Sequence, residues 1–331
     1  TENVPASLAV FPDSIRRSAI TSDTDSTIFT VQDWVKWHHG VIGFDANAMA
    51  TGATMIFLAS QSIIHVLARM SANFGISEKR LFQIAMKNEY YFPVFVPTQV
   101  AKHYFAIMSC QEGNVFKELD KEIKGVHLKS SNAPKMVTED AKKMMEYIMN
   151  TTMEGKQISM SYVLKWIADL ERRVMESVKA GGYEFFRRGQ IKTPDSYKEG
   201  ADSPNYCQYL MWNEVFAPKY GEIVKPPFLT VKVSTELSTR AKTTEWLTNM
   251  KDRELAARME AWMAKNNRAN ITTFMLPEQI ISSIGIPEEI LEVVGVRKIV
   301  LDTTRVFYLI LETLGVYILN NKTTRLVSDH H

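Results

Sequence analysis

The tetrapeptide Asp23-Thr24-Asp25-Ser26 constrains the fold most, because it lies between two short segments with strand character. Residues 18–21 precede it, and residues 27–31 follow it with β-branched and aromatic side chains, which favour strands. This pattern predicts a β-hairpin with two carboxylates at its turn. In extended backbone the side chains at i and i+2 share a face, so we expect Asp23 and Asp25 to point the same way.

Two carboxylates held this close together repel each other, and a bound divalent cation relieves the repulsion. Two-metal phosphoryl-transfer sites use such an arrangement, with cations roughly 4 Å apart that are bridged by shared carboxylates. A solvent-exposed turn rich in Asp, Ser and Thr fits the tetrapeptide equally well, since these residues are common in turns. The motif alone therefore leaves a metal site and an ordinary surface turn both open.

Further segments resemble one known family in the family's own order. The Asp-Thr-Asp-Ser tetrapeptide resembles motif C of family B DNA polymerases, Tyr-x-Asp-Thr-Asp-Ser. Residues 100–105, Val-Ala-Lys-His-Tyr-Phe, resemble the family's Lys-Lys-x-Tyr element along the primer end of the duplex. Residues 124–135 resemble the palm-to-thumb junction of T-even-type phage polymerases: Gly, a short strand, then Ser-Ser-x-Pro-Lys. Glu89 lies where the family often carries a further acidic residue on the palm sheet.

The sequence also departs from the family pattern. Thr21 stands where the family has Tyr, and Ala101 replaces the first Lys of the Lys-Lys-x-Tyr element. Only 22 residues precede Asp23, which is too few for motif A, the fingers or a 3′–5′ exonuclease domain. The resemblance therefore implies the C-terminal part of a polymerase, with no activity unless an upstream segment or subunit completes it.

The resemblance implies template-directed nucleotidyl transfer by two-metal catalysis. In that reaction the primer 3′-hydroxyl attacks the α-phosphate of a deoxynucleoside triphosphate, and pyrophosphate leaves in line. Asp23 and Asp25 would be catalytic ligands of two Mg²⁺ ions, with Glu89 as a further metal ligand. Another carboxylate would come from outside this chain. Mg²⁺ suits these oxygen ligands.

The same resemblance implies the DNA-binding residues and the partners. Lys102 and Tyr104 would position the primer terminus, and Lys129 and Lys135 would contact phosphates at the thumb hinge. The partners would be primer-template DNA, deoxynucleoside triphosphates, an N-terminal polymerase segment and a processivity clamp. The tail at residues 325–331 lacks the apolar clamp-binding peptide of T-even polymerases.

Two other classes of function remain open at this point. One is a non-catalytic DNA-binding subunit that keeps a palm-thumb shape, although a pure grip gains nothing from negative charge near the primer end. The other is a helical interaction protein in which the Asp-Thr-Asp turn is accidental. Asp25→Asn separates them, because it should abolish incorporation by a reconstituted enzyme and leave duplex binding largely intact.

Composition excludes little. The formal charge of +2 and the pI near 8.3 are too mild to identify a nucleic-acid binder. Cys110 and Cys207 form no disulfide framework and no metal-binding spacing, which indicates a reducing cytoplasm and argues against a zinc site. The N-terminus has no basic region followed by an apolar run, so no signal peptide is predicted.

The most apolar stretch, residues 48–74, is predicted to be a helix of a soluble domain. Together, Gln61, His65 and Arg69 would raise the free energy of inserting this segment into the centre of a bilayer by roughly several kcal/mol. The periodicity favours a helix packed under a sheet over a membrane span. The apolar residues that recur on one predicted face are Ile56, Ala59, Ile63, Val66 or Leu67, Met70 and Phe74.

The chain beyond Pro134 reads as mainly helical. Thr138 is predicted to cap one helix, and a second should begin near Ser159 and end at residues 181–182. Residues 183–209 read as a long loop and residues 228–233 as a strand, followed by helices at 246–266 and 299–319. We therefore expect an α+β fold with a palm portion at residues 1–125 and a thumb at residues 126–331.

The helix predicted after Ser159 carries charge along one face. Oppositely charged residues three or four positions apart favour a solvated face over a phosphate-binding ridge, and both interpretations stay open. The charged residues on this face are Lys165, Asp169, Glu171, Arg172, Arg173, Glu176 and Lys179.

Overall fold

The computed structural model describes residues 18–23, 25–125, 133–222, 225–318 and 325–331. The fold is α+β, as predicted. The chain forms two compact units. The first contains the described residues through Gly125 together with Met145–Ile158, and the second contains those of Val126–Met144 and Ser159–His331.

In the part of the chain that the structure describes, the first unit contains a β-hairpin, two helices, the second half of a third helix and a four-stranded antiparallel sheet. The hairpin is the predicted one, with Ser22 opposite Thr27. In the larger sheet β5 is central; β6 lies on one side and β3 and β4 pair with different parts of the other side. The elements are β1 Ala19–Ser22, β2 Thr27–Phe29, α1 Gln32–His39, α2 Ala46–Asn73, β3 Tyr90–Tyr91, β4 Val94–Pro97, β5 Tyr104–Gln111 and β6 Asn114–Lys124.

The β5–β6 hairpin is the centre of this sheet. Phe105 and Ile107 alternate with Ala106 and Met108 along β5, and all four are buried, so both faces of the strand are covered. The two-residue turn to β6 has positive φ at Glu112 and at Gly113, which is the backbone of a type I′ turn. That turn matches the twist of the two strands and fixes their register.

Helix α2 forms where predicted, but its buried face differs from the predicted one. Small residues lie against the rest of the unit: at Gly52, an added Cβ would lie 2.1 Å from the Tyr91 hydroxyl oxygen. Val66, Met70 and Phe74, placed on the packed face by the periodicity, are exposed. By length and composition α2 is the one helix in the described residues that could cross a membrane, and 11% of its most apolar window is buried. The buried residues of α2 are Ala48, Gly52, Ser60, Ala68 and Ser71.

The next helix, α3 (Lys135–Met153), begins four residues earlier than predicted. It starts directly after Pro134, whose carbonyl accepts a 3.1 Å hydrogen bond from the Thr138 N–H. The Thr138 hydroxyl donates to the Lys135 carbonyl at 2.8 Å, so Thr138 belongs to the first turn and is not the cap. The cap prediction was wrong because Pro tolerates the start of a helix as well as Thr does.

The second unit packs helices around a three-stranded antiparallel sheet in the order β7-β8-β9. Its α4 confirms the helix predicted after Ser159, whose hydroxyl accepts from the Tyr162 N–H at 3.3 Å. The elements are α4 Met160–Lys179, β7 Arg187–Ile191, α5 Pro204–Met211, α6 Ala217–Tyr220, β8 Phe228–Ser234, α7 Arg240–Asn249, α8 Arg253–Lys265, β9 Thr273–Pro277, α9 Glu278–Ile284, α10 Glu288–Leu291 and α11 Val296–Thr313.

Two predictions in this unit were wrong in detail. Residues 183–209 are not one loop, because β7 pairs along its whole length with β8 and α5 follows. The single helix predicted at 246–266 is two helices, since Asp252 interrupts it and caps α8 by accepting from the Leu255 N–H at 2.9 Å. The strand β8 and the closing helix α11 confirm the predictions for those segments.

The charged face of α4 is solvated, with one exception. Arg172 pairs with Asp169, and Arg173 pairs with Asp140 of α3, each at 2.9 Å. Glu171 was expected on this face, yet its side chain is buried. It accepts from the Tyr308 hydroxyl at 2.5 Å and from the Ser328 N–H at 2.7 Å, and so holds the C-terminal residues against α4 and α11.

Candidate active site

The hairpin between β1 and β2 presents Asp23 and Asp25 at its tip. The Asp23 N–H donates to the Ser26 carbonyl at 2.8 Å, which closes a tight turn. Below it, the Ser22 hydroxyl lies 2.9 Å from the Thr27 hydroxyl and donates to the Ser26 carbonyl at 3.2 Å. The chain reverses between Ser22 and Thr27, so Asp23 and Asp25 lie in the turn, and their predicted shared face stays a prediction. Both residues are exposed, as a solvent-accessible metal site requires.

Lys102 lies against the first of these carboxylates. Its Nζ is 3.0 Å from Asp23 Oδ1 and 2.9 Å from Asp23 Oδ2. The two side chains are 63% and 47% exposed, and such surface pairs contribute only about 0–1 kcal/mol to folding. The contact therefore contributes little to stability, but it shows that Lys102 lies at the tip of the hairpin. It brings together two motifs that are 79 residues apart in the chain.

The backbone that carries Lys102 is in an unfavourable conformation. Lys102 has a φ of 64° in the turn between β4 and β5, and left-handed backbone costs a residue with a Cβ about 1–2 kcal/mol. The turn is closed by hydrogen bonds from the Thr98 N–H to the His103 carbonyl, 2.9 Å, and from the His103 N–H to the Val100 carbonyl, 3.1 Å. Strain of this kind clusters at functional sites.

Gly125 supports the same turn from below. It has a φ of 72°, and a Cβ at this position would lie 2.1 Å from Cδ2 of the His103 ring. The ring is therefore packed onto the glycine backbone, next to the residue that contacts Asp23. Any larger residue at position 125 has to displace His103 and with it the turn that positions Lys102.

Tyr104 lies in the sheet and not at the hairpin tip. It is 6% exposed, and its ring centroid is 4.8 Å from that of Phe95 and 5.9 Å from that of Phe92. Burial, with a smaller contribution from the Glu122 charge, raises the pKa of Tyr104 to about 12. The phenol is thus protonated at neutral pH. Its proposed contact with the primer terminus stays a prediction.

Glu89 is exposed beside β3, at the end of the larger sheet. Its carbonyl accepts from the Glu112 N–H at 2.7 Å, and Glu112 in turn pairs with Lys87 at 2.9 Å. Within the described residues, no three Asp, Glu, His or Cys side chains come close enough to hold a metal ion. The structure therefore does not gather Glu89 with Asp23 and Asp25.

Of the two lysines predicted for the thumb hinge, the structure describes only Lys135. Lys135 is the first residue of α3, with its side chain 89% exposed and its Nζ 3.8 Å from Glu139 Oε1. It belongs to the second unit. Lys129 lies outside the described residues, so its predicted phosphate contact stays a prediction.

The chemistry at the hairpin tip follows from these charges. The carboxylate oxygens of Asp23 and Asp25 are hard ligands of the kind that Mg²⁺ prefers. The Lys102 ammonium already lies at both Asp23 oxygens. A divalent cation that binds Asp23 therefore competes with Lys102 for the same oxygens, because the two positive charges repel.

Three contributors to this site were not found in the sequence. The Ser22 hydroxyl and the Gly125 backbone contact residues in other segments of the chain, Thr27 and His103. The left-handed backbone of Lys102 could not be predicted, because Lys is not a residue type typical of that conformation. An extra Gly or Asn would have marked such a turn. Only the register of the Ser22–Thr27 pair, which follows from a tight hairpin, offered a signal.

Comparison with protein families decides the assignment. The model of the divergent family B DNA polymerases matches residues 1–331, the whole chain. The chain belongs to this family. No curated protein matches it. As a divergent family B DNA polymerase, the chain has a function related to that of DNA polymerases.

Proposed function

We propose that this chain supplies the motif C hairpin and the primer-end elements of a DNA-directed DNA polymerase of T-even type. The observation that carries the proposal is the contact of Lys102 with both oxygens of Asp23. Each residue belongs to a separate sequence motif, and an accidental turn would have no reason to contact the second motif. In this proposal the first unit is the C-terminal part of the palm and the second is the thumb.

The reaction is the attack of the primer 3′-hydroxyl on the α-phosphate of a deoxynucleoside triphosphate, with pyrophosphate leaving in line. Two Mg²⁺ ions would supply charge neutralisation at the attacking and leaving oxygens. Asp23 and Asp25 would hold these ions, at the exposed tip where a primer end can reach them. Lys102, released from Asp23, would hold the primer backbone and keep the 3′-hydroxyl in place. Positioning matters because a 1 Å error can cost about a hundredfold in rate.

Completion of the site by a further polypeptide segment is part of the proposal. Two carboxylates at the tip are too few for a two-metal site, and the described residues offer no third one. Among the described residues the hairpin is a separate two-stranded sheet, and such hairpins are marginal in water unless another strand or helix covers them. A strand that carries the motif A aspartate would both extend this sheet and complete the ligands.

A non-catalytic DNA-binding subunit is the second candidate, and one observation favours it. The Lys102 ammonium pairs with Asp23, so the tip carries less negative charge than a free carboxylate pair. A protein that only grips duplex DNA would tolerate such a tip. The retained Asp25 argues against this candidate, because an exposed carboxylate near DNA weakens DNA binding and gives no advantage to a protein that only binds duplex.

Asp25→Asn tests the proposal in the polymerase assembled with the segment that carries motif A and the fingers. We expect primer extension to fall to background while primer-template affinity changes little, because the side chain keeps its shape and loses its charge. Asp195→Asn, at an exposed position of the second unit, is the matched control and should leave both unchanged. Extension at the normal rate by Asp25→Asn would contradict catalysis at this hairpin and favour the grip function.

A further inference from the structure

Two cations of the second unit face each other across the strands β7 and β8. Arg187 lies directly opposite Lys232 in the antiparallel pairing, and both are exposed. The Cα atoms of such a pair are roughly 5 Å apart, and like charges placed there destabilise a sheet. Neither side chain has an ion pair or hydrogen bond with any residue that the structure describes. By contrast, Arg188 pairs with Glu278 at 2.8 Å.

These cations line a shallow pocket that is open to solvent. Ser234 and Thr303 line the same pocket and are almost completely buried, at 4% and 6% exposed. The two cations thus lie beside polar side chains that are almost completely buried. Phe186, Ile299 and Asp302 complete the lining.

Asp302 is the one acidic residue among those that line the pocket. It lies on the exposed stripe of α11 with Lys298, four residues before it, and Arg305, three residues after it. Residues at these spacings are neighbours on a helix surface. Among the charged residues named here, four are positive and one is negative, which favours an anion.

We propose that Arg187 and Lys232 bind a backbone phosphate of duplex primer-template DNA. The preference for an anion follows from the charges, and only the identification of the anion as duplex DNA rests on the proposed function. A phosphate placed between the two side chains removes their repulsion, and the planar Arg guanidinium can bind it through two hydrogen bonds. Without an anion the two cations lower the stability of the sheet, and a bound phosphate removes this repulsion.

The test is the binding of a fluorescent primer-template duplex to the chain, measured by anisotropy over a range of salt concentrations. Arg187→Ala and Lys232→Ala should each weaken binding about fivefold at moderate salt and lower the slope of log affinity against log salt by about 0.9, the value for one lost phosphate contact. Lys165→Ala, which removes an exposed charge from α4 of the same unit, is the control and should change both quantities much less.

A second measurement separates binding from structure. Lys232→Glu replaces the repulsion by an attraction to Arg187, so we expect it to raise the melting temperature while it weakens DNA binding. Variants that lose stability and DNA binding together would contradict the site. An equal loss of DNA binding in Lys165→Ala would also contradict it, and so would displacement of the duplex by equimolar deoxynucleoside triphosphate. Failure of the unaltered chain to bind duplex would contradict the proposed function as well, whereas normal binding by all variants would contradict this site alone.

Discussion

At the level of single residues, the proposed function depends on the contact of Lys102 with Asp23 and on the backbone conformation of Lys102. Its Nζ contacts both oxygens of Asp23, and its backbone has a φ of 64°, which only Gly adopts at no cost. A residue that is strained, exposed and charged contributes little to folding. We therefore interpret its position as a requirement of DNA binding, and the following substitution separates the two effects.

Lys102→Gly should keep or raise the free energy of unfolding, by up to about 1 kcal/mol, because Gly relieves the left-handed backbone. The same change should weaken primer-template binding by about 1 kcal/mol and lower the salt slope by about one phosphate contact. Chemical denaturation and anisotropy titrations measure the two quantities.

The matched control for that variant is Glu112→Gly. Glu112 also has a positive φ, 48°, in the β5–β6 turn of the same unit. It should gain stability in the same way and leave DNA binding unchanged. A loss of stability in Lys102→Gly together with unchanged DNA affinity would show that Lys102 is a structural residue.

At the scale of elements, periodicity predicted which segments are helices but not which faces are covered. The sequence located α2, α4 and α11, and it placed the hairpin at residues 18–31. It failed for β7, because the partner of that strand lies some forty residues away and a short polar segment has no strand pattern of its own. It also failed for the buried face of α2, since spacing groups side chains on a face without saying what packs against that face.

The exposed side of α2 gives a prediction about assembly. Phe57 and Leu58 are 55% and 51% exposed, so changing both to Ser should lower the free energy of unfolding by less than about 1 kcal/mol. His65 and Arg69 are exposed on the same helix, which favours a protein partner over a bilayer. The double variant should therefore weaken binding to the upstream polymerase segment that we propose.

Sedimentation of the two chains, alone and mixed, measures these effects. Ala68→Leu is the comparison at a buried position of α2; overpacking there should cost about 1–3 kcal/mol. A comparable loss of stability in the Phe57 and Leu58 variant would show that this side of α2 is already packed. Unchanged association with the upstream segment would place the interface elsewhere.

At the scale of the whole molecule, the sequence supplied the α+β class and the main candidate residues, while long-range contacts supplied the rest. Asp23, Asp25 and Lys102 were identified from short motifs. The buried polar contacts of the second unit were not, because Glu289 is one acidic residue among many in the sequence. In the structure it accepts from Lys219 and from the Tyr220 hydroxyl, each at 2.6 Å.

These contacts predict how stability depends on pH. Burial acts to raise the pKa of Glu289, but the hydrogen bonds from Lys219 and Tyr220 outweigh it and lower the pKa below the ordinary value of 4.5. A carboxyl whose pKa is lowered by folding stabilises the fold above its unfolded pKa and loses that contribution as the pH falls through the folded value. Stability should therefore decrease below about pH 4.5.

Glu289→Gln should cost about 2 kcal/mol at pH 7, because Lys219 loses a charged partner. Its free energy of unfolding should fall less steeply with acid than that of the unaltered chain. Denaturant melts from pH 7 to pH 3 measure both. Parallel curves for the two proteins would show that Glu289 does not titrate in this range.

The binding of Mn²⁺ in place of Mg²⁺ to the polymerase assembled with the segment that carries motif A, before DNA is added, tests whether a metal site lies at the hairpin, and electron paramagnetic resonance measures it. We expect saturable binding at the hairpin that Asp25→Asn weakens and that Lys102→Ala strengthens, because the ammonium and the metal compete for the oxygens of Asp23. Opposite effects of these two variants would fit no ordinary surface turn. Absence of saturable binding, or identical binding by all three proteins, would contradict a polymerase metal site at Asp23 and Asp25.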